Sequence, residues 1–316
     1  MLTWEEENQT FARDFILLGL LHPNQYGLLF LTLILIIFMV AILGNTVLIL
    51  LIRLYSRLHT PMYFLLSHLS FMDILHISNI VPKMAFNFIS GQQSITFAGC
   101  GFQIFLSLIF LGAECLLLAA MSYDRYVAIC HPLRYSILMN HRISVHMAAG
   151  CWIVGTINST IHTTYALHLP FCGTRVIDHF FCEVPAMLKL SCVDTSPYEG
   201  GVYVSAVFFL LIPFSIILAS YAQILHTVLH IKSVEAQKKA FSTCSSHLTV
   251  VIMYYGPFIF TYMRPKSYHT PGQDKVLAIL YTILTPMLNP IIYSLRNKDV
   301  LCALKKVLGK TLRQKN

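Results

Sequence analysis

Charge is what this chain has least of. Only 11% of its 316 residues are Asp, Glu, Lys or Arg, against about 25% in an ordinary soluble domain. The same shortage excludes disorder, which needs low hydrophobicity and high charge. An internal repeat, a low-complexity run and the paired broken helices of many transporters are also missing. No paired nucleophile and base stands out, nor any metal-ligand spacing, and the 14 histidines are scattered. The net charge of +8 is spread over short loops and the tail without forming a basic face, so no nucleic acid is expected as a partner.

Apolar length is what the chain does have. Residues of the A, V, I, L, M, F, W, Y and C types make up 56% of it, and a bilayer-spanning helix takes about 20 of them in succession. Seven blocks qualify, at Tyr26–Leu54, Pro61–Phe88, Gly99–Val127, Ser144–Tyr165, Tyr198–His230, Ala240–Tyr262 and Val276–Leu295. The fold expected is an all-α membrane protein, a seven-transmembrane helix bundle with a short amphipathic eighth helix. Residues 1–25 would form an extracellular N-terminal segment, 26–295 the bundle and 296–316 a cytoplasmic tail.

Fifteen of the 22 Lys and Arg residues, from Arg53 to Lys315, fall on the tail's side of the spans. The other seven are Arg13, Lys83, Arg175, Lys189, Arg264, Lys266 and Lys275. Positive charge gathers on the cytoplasmic side, so the N-terminus is expected outside and the C-terminus in the cytosol of a multi-pass plasma-membrane protein. Glu5, Glu6 and Glu7 replace the basic start of a signal peptide, so the first span is expected to act as an uncleaved anchor. Asn8-Gln9-Thr10 is a glycosylation acceptor on the outer side. Asn158-Ser159-Thr160 fits the same triplet but lies inside the fourth span and is set aside.

Of nine cysteines, Cys100, Cys172, Cys182 and Cys192 fall on the oxidising side, where bridges form. Four cysteines allow three pairings, and spacing does not choose among them. Cys115, Cys130, Cys151 and Cys244 read as small packing residues. Cys302, near the inner membrane face, is a palmitoylation candidate.

Ionisable groups at membrane depth are costly and usually functional. Two carboxylates, Asp73 and Glu114, lie mid-way along the second and third spans. Their repulsion calls for a bound cation, ordered water or a shared proton, with Asn45 and Asn289 as polar partners; the alternative is a structural hydrogen-bond network with no ion. Asp124-Arg125 ends the third span, either as an arginine reaching headgroups beside an acid or as a switch that exchanges partners. Pro213, Pro257 and Pro290 each fall inside a span, where proline kinks a helix. After Arg296, Val300, Leu301, Leu304, Val307 and Leu308 share one helical face flanked by lysines, as in a helix lying on the inner leaflet.

Several stretches together resemble olfactory receptors, in the large class II tetrapod branch of rhodopsin-like G-protein-coupled receptors. They are Met121-Ser-Tyr-Asp-Arg-Tyr-Val-Ala-Ile-Cys-His-Pro-Leu133, Leu58-His-Thr-Pro-Met-Tyr-Phe64, Lys239-Ala-Phe-Ser-Thr-Cys-Ser-Ser-His-Leu248 and Pro286-Met-Leu-Asn-Pro-Ile-Ile-Tyr-Ser-Leu-Arg-Asn-Lys298. Gly44-Asn45 and Leu69-Ser-Phe-Met-Asp73 fit the first two helices, so the match covers nearly the whole chain. The resemblance implies disulfides Cys100–Cys182 and Cys172–Cys192. It makes Asp73 and Glu114 the buried acidic pair proposed as a sodium site. It makes Asp124, Arg125 and Tyr126 the switch that meets the G protein, with Tyr221 and Tyr293 rearranging on activation and His247 part of a coupling motif near the inner end of the sixth helix. Departures are small: Ser122 stands where many relatives have Ala, and Tyr254 where many have Phe. Tyr255 takes the place of the tryptophan switch of other rhodopsin-like receptors, as it does in olfactory receptors.

The ligand pocket is expected in the outer half of the bundle, between the third, fifth, sixth and seventh helices. Its candidate lining is Ser107, Leu108, Leu111, Gly112, Ser205, Phe209, Phe258, Ile259, Tyr262, Ile279, Thr282 and Ile283. No acid stands on the outer half of the third helix, so a cationic amine finds no counter-charge there, and the expected ligand is small, neutral and mostly apolar. Burying about 250 Å² of it yields about 6 kcal/mol, part of which association consumes, leaving a dissociation constant around micromolar or weaker. The partners implied are an odorant, a heterotrimeric stimulatory olfactory G protein that raises cyclic AMP, and membrane lipid. No cofactor is expected apart from a structural sodium ion at the acidic pair. A channel or transporter would want a polar pathway or repeats, and an intramembrane enzyme a catalytic spacing; neither pattern is present, and no covalent chemistry is expected.

Overall fold

The apolar blocks fold as seven long helices. The computed structural model describes residues 14–20, 25–263, 270–295 and 297–313. Its spans are α1 (Gln25–Leu54), α2 (Pro61–Ser90), α3 (Phe97–Cys130), α4 (His141–His168), α5 (Ser196–Leu229) and α6 (Val234–Tyr262). The seventh, α7, runs through Pro271–Ile279, Leu280–Leu284 and Thr285–Leu295, and α8 (Lys298–Arg313) follows it. Asn8 lies outside the described residues, as do Arg13, Arg264, Lys266, Arg296 and Lys315.

Helix ends extend past the apolar blocks, most at the start of α6, where Val234 rather than Ala240 begins the helix, and of α7, where Pro271 rather than Val276 does. Backbone hydrogen bonds continue a helix into water as readily as in lipid, so hydropathy marks the membrane edge and not the helix end. Local signals place several starts. Pro61 opens α2 without losing a bond. The Thr96 hydroxyl accepts from the Gly99 amide at α3, and Asn140 Oδ1 accepts from the Ile143 amide at α4, each at 3.0 Å.

Burial follows the helical period. On α1, Gly27, Leu31, Ile34, Ala41, Asn45, Leu48 and Ile52 face inward, while Leu28, Leu33, Ile36, Met39, Leu43 and Leu50 are exposed. An exposed apolar face this long suits lipid as its solvent. Among the described residues, five helices, α1, α2, α3, α5 and α7, are long and apolar enough to cross a membrane on length and composition alone. The other two, α4 with 28 residues and α6 with 29, are of similar length. They turn polar groups inward, among them Ser159, His162 and Thr163 on α4 and Ser246, His247 and Thr261 on α6.

The central helix is α3, buried from Cys100 to Val127 on most of its faces. Gly155 lets α4 lie against it: a Cβ there would sit 2.9 Å from the Ile109 carbonyl oxygen and 3.2 Å from the Ala113 amide nitrogen. Ser159 Oγ then donates to the Phe105 carbonyl at 2.6 Å. Both α5 and α7 widen by a π turn, at Val207–Leu211 and Leu280–Leu284, shortly before Pro213 and Pro286. A proline N–H is missing from the ladder, and the wider turns absorb the mismatch. Pro286 therefore marks a break that the three expected kinks left out. Pro82 and Pro257 lie within α2 and α6.

A small sheet closes the outer end. Strand β1 (Phe15–Leu17) pairs antiparallel with β2 (Ser94–Ile95) and parallel with β3 (Val176–Ile177). Phe15, Leu17, Ile95, Ile177, Val184 and Met187 form a second core beneath it. Disulfides Cys100–Cys182 and Cys172–Cys192 fasten the loop between α4 and α5, the first of them to α3. At the other end, Val300 and Ala303 of α8 are buried, while Cys302, Lys305 and Lys306 are exposed.

Candidate functional site

A cavity of about 60 Å³ lies in the outer half of the bundle among α3, α4, α5 and α6. Leu108, Leu111, Gly112, Ser205, Phe209, Phe258 and Tyr262 line it, seven of the twelve residues expected from the sequence. The remaining walls are Asn158 and His162 of α4, Val184 of the disulfide-bonded loop, and Val202, Ala206 and Leu210 of α5.

The other five expected residues lie elsewhere. Ser107 turns toward α2, where its hydroxyl accepts from Asn79 Nδ2 at 3.0 Å. Ile259 and Ile279 are half-buried against the main core, and Ile283 is buried within it. Thr282 donates to its own helix, at the Ala278 carbonyl. Among the described residues, no wall of this cavity comes from α7; α4 takes that place. Reading His162 and Asn158 together, one turn apart on a membrane helix, would have flagged α4. Taken singly, they pass as a scattered histidine and part of a glycosylation triplet.

His162 is held at both ring nitrogens. The Tyr198 hydroxyl donates to the His162 carbonyl at 3.1 Å, so its oxygen accepts from Nδ1–H at 2.9 Å. Nε2 is then the acceptor for the Ser205 hydroxyl at 2.8 Å. The Tyr165 and Tyr198 rings stack at 3.9 Å. The cavity thus carries a neutral polar group fixed in orientation on an apolar wall, and no carboxylate among its lining.

Above it, the loop carries two largely buried titratable groups. His179 Nε2 and Glu183 Oε1 are 3.7 Å apart, but the pair is no ion pair at neutral pH. Burial pushes the Glu183 carboxyl up to about 8, helped by Asp274 and opposed by Lys189. Burial pushes His179 down to about 3, with Lys275 adding to it. Desolvation outweighs their mutual attraction. The charged link here is Lys275 Nζ to Asp178 Oδ1, at 2.6 Å.

Deeper in the bundle, Asn289 Nδ2 donates to both oxygens of Asp73, at 2.9 and 3.2 Å, and Asp73 lies close enough to Glu114 for their charges to interact. Asn45 is bonded instead to the Ala41 and Pro286 carbonyls. His76 Nδ1 stands 3.6 Å from Glu114 Oε1, too far for a hydrogen bond. The sequence reading passed over His76. Glu114 Oε1, Asn45 Oδ1 and Asn289 Oδ1 are buried without hydrogen-bond partners. These atoms are oxygens, the ligand type that hard cations take. Among the described residues no group of three or more His, Cys, Asp or Glu is arranged to hold a metal ion.

From its middle to its inner end, α6 is tied down. Tyr254 Oη donates to the Leu111 carbonyl at 2.9 Å and Tyr255 Oη to the Cys115 carbonyl at 2.8 Å. Tyr221 Oη and His247 Nδ1 are paired at 2.8 Å. Asp124 accepts from Tyr135 Oη at 2.8 Å, while the buried Nε of Arg125 and Oη of Tyr293 have no hydrogen-bond partner. Tyr126 Oη pairs with His131 Nε2 at 3.0 Å. Tyr135, half-buried beside Asp124, is held protonated, its hydroxyl pushed up by burial and by that acid. Tyr135 was not among the expected switch residues, since nothing local to its loop marks it.

A family model described as "Olfactory receptor" matches residues 34–311. The chain is 70% identical over 302 residues to "Olfactory receptor 2AJ1" of Homo sapiens, covering 96% of this chain and 92% of that protein. It is 58% identical over 303 residues to "Olfactory receptor 2L8" of Homo sapiens, covering 96% and 97%. With "Olfactory receptor 2V1" of Mus musculus it shares 53% identity over 303 residues, 96% of each chain.

Proposed function

The chain belongs to the olfactory receptor family, multi-pass seven-transmembrane receptors coupled to G proteins and not enzymes, and on that premise we propose how this odorant receptor recognises and signals. Its odorant is a small, neutral, mostly apolar volatile that enters the cavity between α3, α4, α5 and α6. The observation that carries this is the wall itself: apolar and aromatic side chains around the neutral polar groups of His162, Ser205 and Asn158, with no carboxylate among the described residues. A hydroxyl or carbonyl on the ligand would exchange hydrogen bonds with those groups, and a cationic amine would meet no counter-charge.

At about 60 Å³ the cavity is smaller than the roughly 300–1,000 Å³ of drug-sized sites, so a ligand must spread its walls. Phe209, 3.1 Å from where a Gly112 Cβ would stand, and Phe258, which packs on Tyr254 and Tyr281, are the walls that give. A ligand that binds the wider form better shifts the bundle toward it. Displacement of Phe258 loosens Tyr254 from the Leu111 carbonyl, α6 moves at its inner end, and Arg125 meets a stimulatory olfactory G protein that raises cyclic AMP. The N-terminus is outside and the C-terminus in the cytosol. A sodium ion on Asp73 and Glu114, with the amide oxygens of Asn45 and Asn289, would neutralise the acidic pair and favour the closed bundle.

The test is a cyclic AMP assay in cells expressing the chain with the olfactory G protein, over a panel of neutral volatiles. Arg125→Ala is run beside the parent with surface level measured. A response lost in Arg125→Ala at equal surface level supports the reading. A response retained in that variant, or a panel in which only cationic amines act, overturns it.

A further inference from the structure

A second cavity, of about 110 Å³, lies away from the first, between the outer ends of α1 and α2 and under the segment that leads out of β1. Its sides are Phe30, Leu31 and Ile34 of α1 and Met84, Asn87 and Phe88 of α2. Leu18–Leu20 and Phe180 also line it. Two left-handed glycines shape the rim: Gly19 (φ 75°) turns the chain after β1, and Gly91 (φ 70°) ends α2. Neither has a neighbouring atom within 4 Å of where a Cβ would be. The segment is pinned by main-chain bonds, Leu18 N–H to the Ile177 carbonyl at 3.0 Å and Gly19 N–H to the His179 carbonyl at 3.2 Å.

The space is mostly apolar, and Asn87 and Gln93 are the polar side chains among its described lining. Asn87 is 8% exposed, and its Oδ1 is buried with no hydrogen-bond partner. An orphaned acceptor on a buried wall is costly and asks for a donor. No charged side chain among the described residues lines the cavity, which argues against an ionic ligand. For scale, an apolar cavity of about 150 Å³ takes up benzene.

We infer that this is a second small-molecule site, for a neutral molecule with one hydroxyl and an apolar body of about five or six carbons in the cavity. The hydroxyl donates to Asn87 Oδ1, and the body packs against Leu31, Ile34 and Met84. A free aliphatic alcohol and the hydroxyl-bearing end of a membrane sterol offer the same chemistry. Phe180 lies two residues from Cys182, which is bonded to α3, and Val184 lines the first cavity. The loop thereby gives the second site contact with the roof of the first, and its occupant is a modulator and not a competitor.

The test is photolabelling of the full-length chain in lipid nanodiscs with a diazirine analogue of hexan-1-ol, mapped by peptide mass spectrometry. Adducts are expected in residues 27–34 and 84–91, displaced by hexan-1-ol and about tenfold less readily by hexane. Asn87→Leu should make the two competitors equal. Labelling that falls when cholesterol is added assigns the site to membrane sterol, and labelling that does not fall assigns it to free alcohols; either keeps the site. Adducts confined to residues 108–112 and 202–210, or equal displacement by hexane in the parent, overturn it. The parent's own competition pattern decides the matter if Asn87→Leu fails to fold.

Discussion

Tyr221 and His247 are paired across 2.8 Å, hydroxyl to ring nitrogen, and join α5 to α6 in the inner half of the bundle. Their rings also overlap, with centroids 5.8 Å apart. The pair holds the helix that the proposed mechanism moves, beside an Arg125 whose Nε has no hydrogen-bond partner. Tyr221→Phe keeps the ring and removes the hydroxyl. It should weaken the closed state by about 1 kcal/mol, which corresponds to about a fivefold rise in ligand-free signalling. Basal cyclic AMP at matched surface level checks this, and an unchanged or lower baseline counts against a restraining pair.

Gly155 is where α4 touches the α3 backbone, and no side chain there can be accommodated by rotation of a neighbour, because the nearest atoms are main-chain. Gly155→Leu should force the helices apart and destabilise the bundle by about 1–3 kcal/mol. The thermal midpoint of the purified protein would fall and surface expression with it. At Gly150, a Cβ meets nothing within 4 Å, so Gly150→Leu is the matched control and should lower neither, since Gly inside a helix is itself a poor helix former.

The outer loop should be most stable in mildly acidic conditions. Glu183 keeps its proton to about pH 8 in the fold, against an ordinary value of 4.5, so stability is lost as pH rises from about 4.5 to 8. His179 refuses a proton until about pH 3, against an ordinary 6.5, so stability is lost as pH falls below about 6.5. Glu183→Gln should raise the thermal midpoint at pH 8, by more than about 1 kcal/mol in stability, and leave it unchanged near pH 4.5. A midpoint that drops at pH 8 would mean that the carboxylate is paired after all.

Gly112 faces Phe209 across the first cavity, its missing Cβ 3.1 Å from the ring edge. Gly112→Ala takes up space that a ligand would use, and the ring, being a side chain, can give way, so the fold should survive. Potency for the bulkier active volatiles should fall about tenfold more than for the smallest ones. A uniform loss across ligand sizes would place the binding site elsewhere.

The sequence by itself determined the solvent and the class. Scarce charge and seven apolar blocks require helices spanning lipid, because only a helix or a closed barrel satisfies its own backbone there. The contiguous motifs were legible too, since Asp124-Arg125 and the Pro286–Lys298 stretch are each read along one short run of chain. Helix rotation was not legible. Whether Ser107 meets a ligand or Asn79, whether Asn45 serves Asp73 or the Pro286 carbonyl, and whether α4 or α7 walls the cavity depend on how helices turn about their axes. Lipid-facing and core-facing sides are alike apolar in a membrane chain, so the pattern that reveals rotation in a soluble helix is faint here. Close approach decides it instead, as at Gly155 against Ile109, together with the few long-range hydrogen bonds such as His162–Ser205 and Tyr255–Cys115. Those contacts join residues far apart in the chain, and only the tertiary structure brings them together.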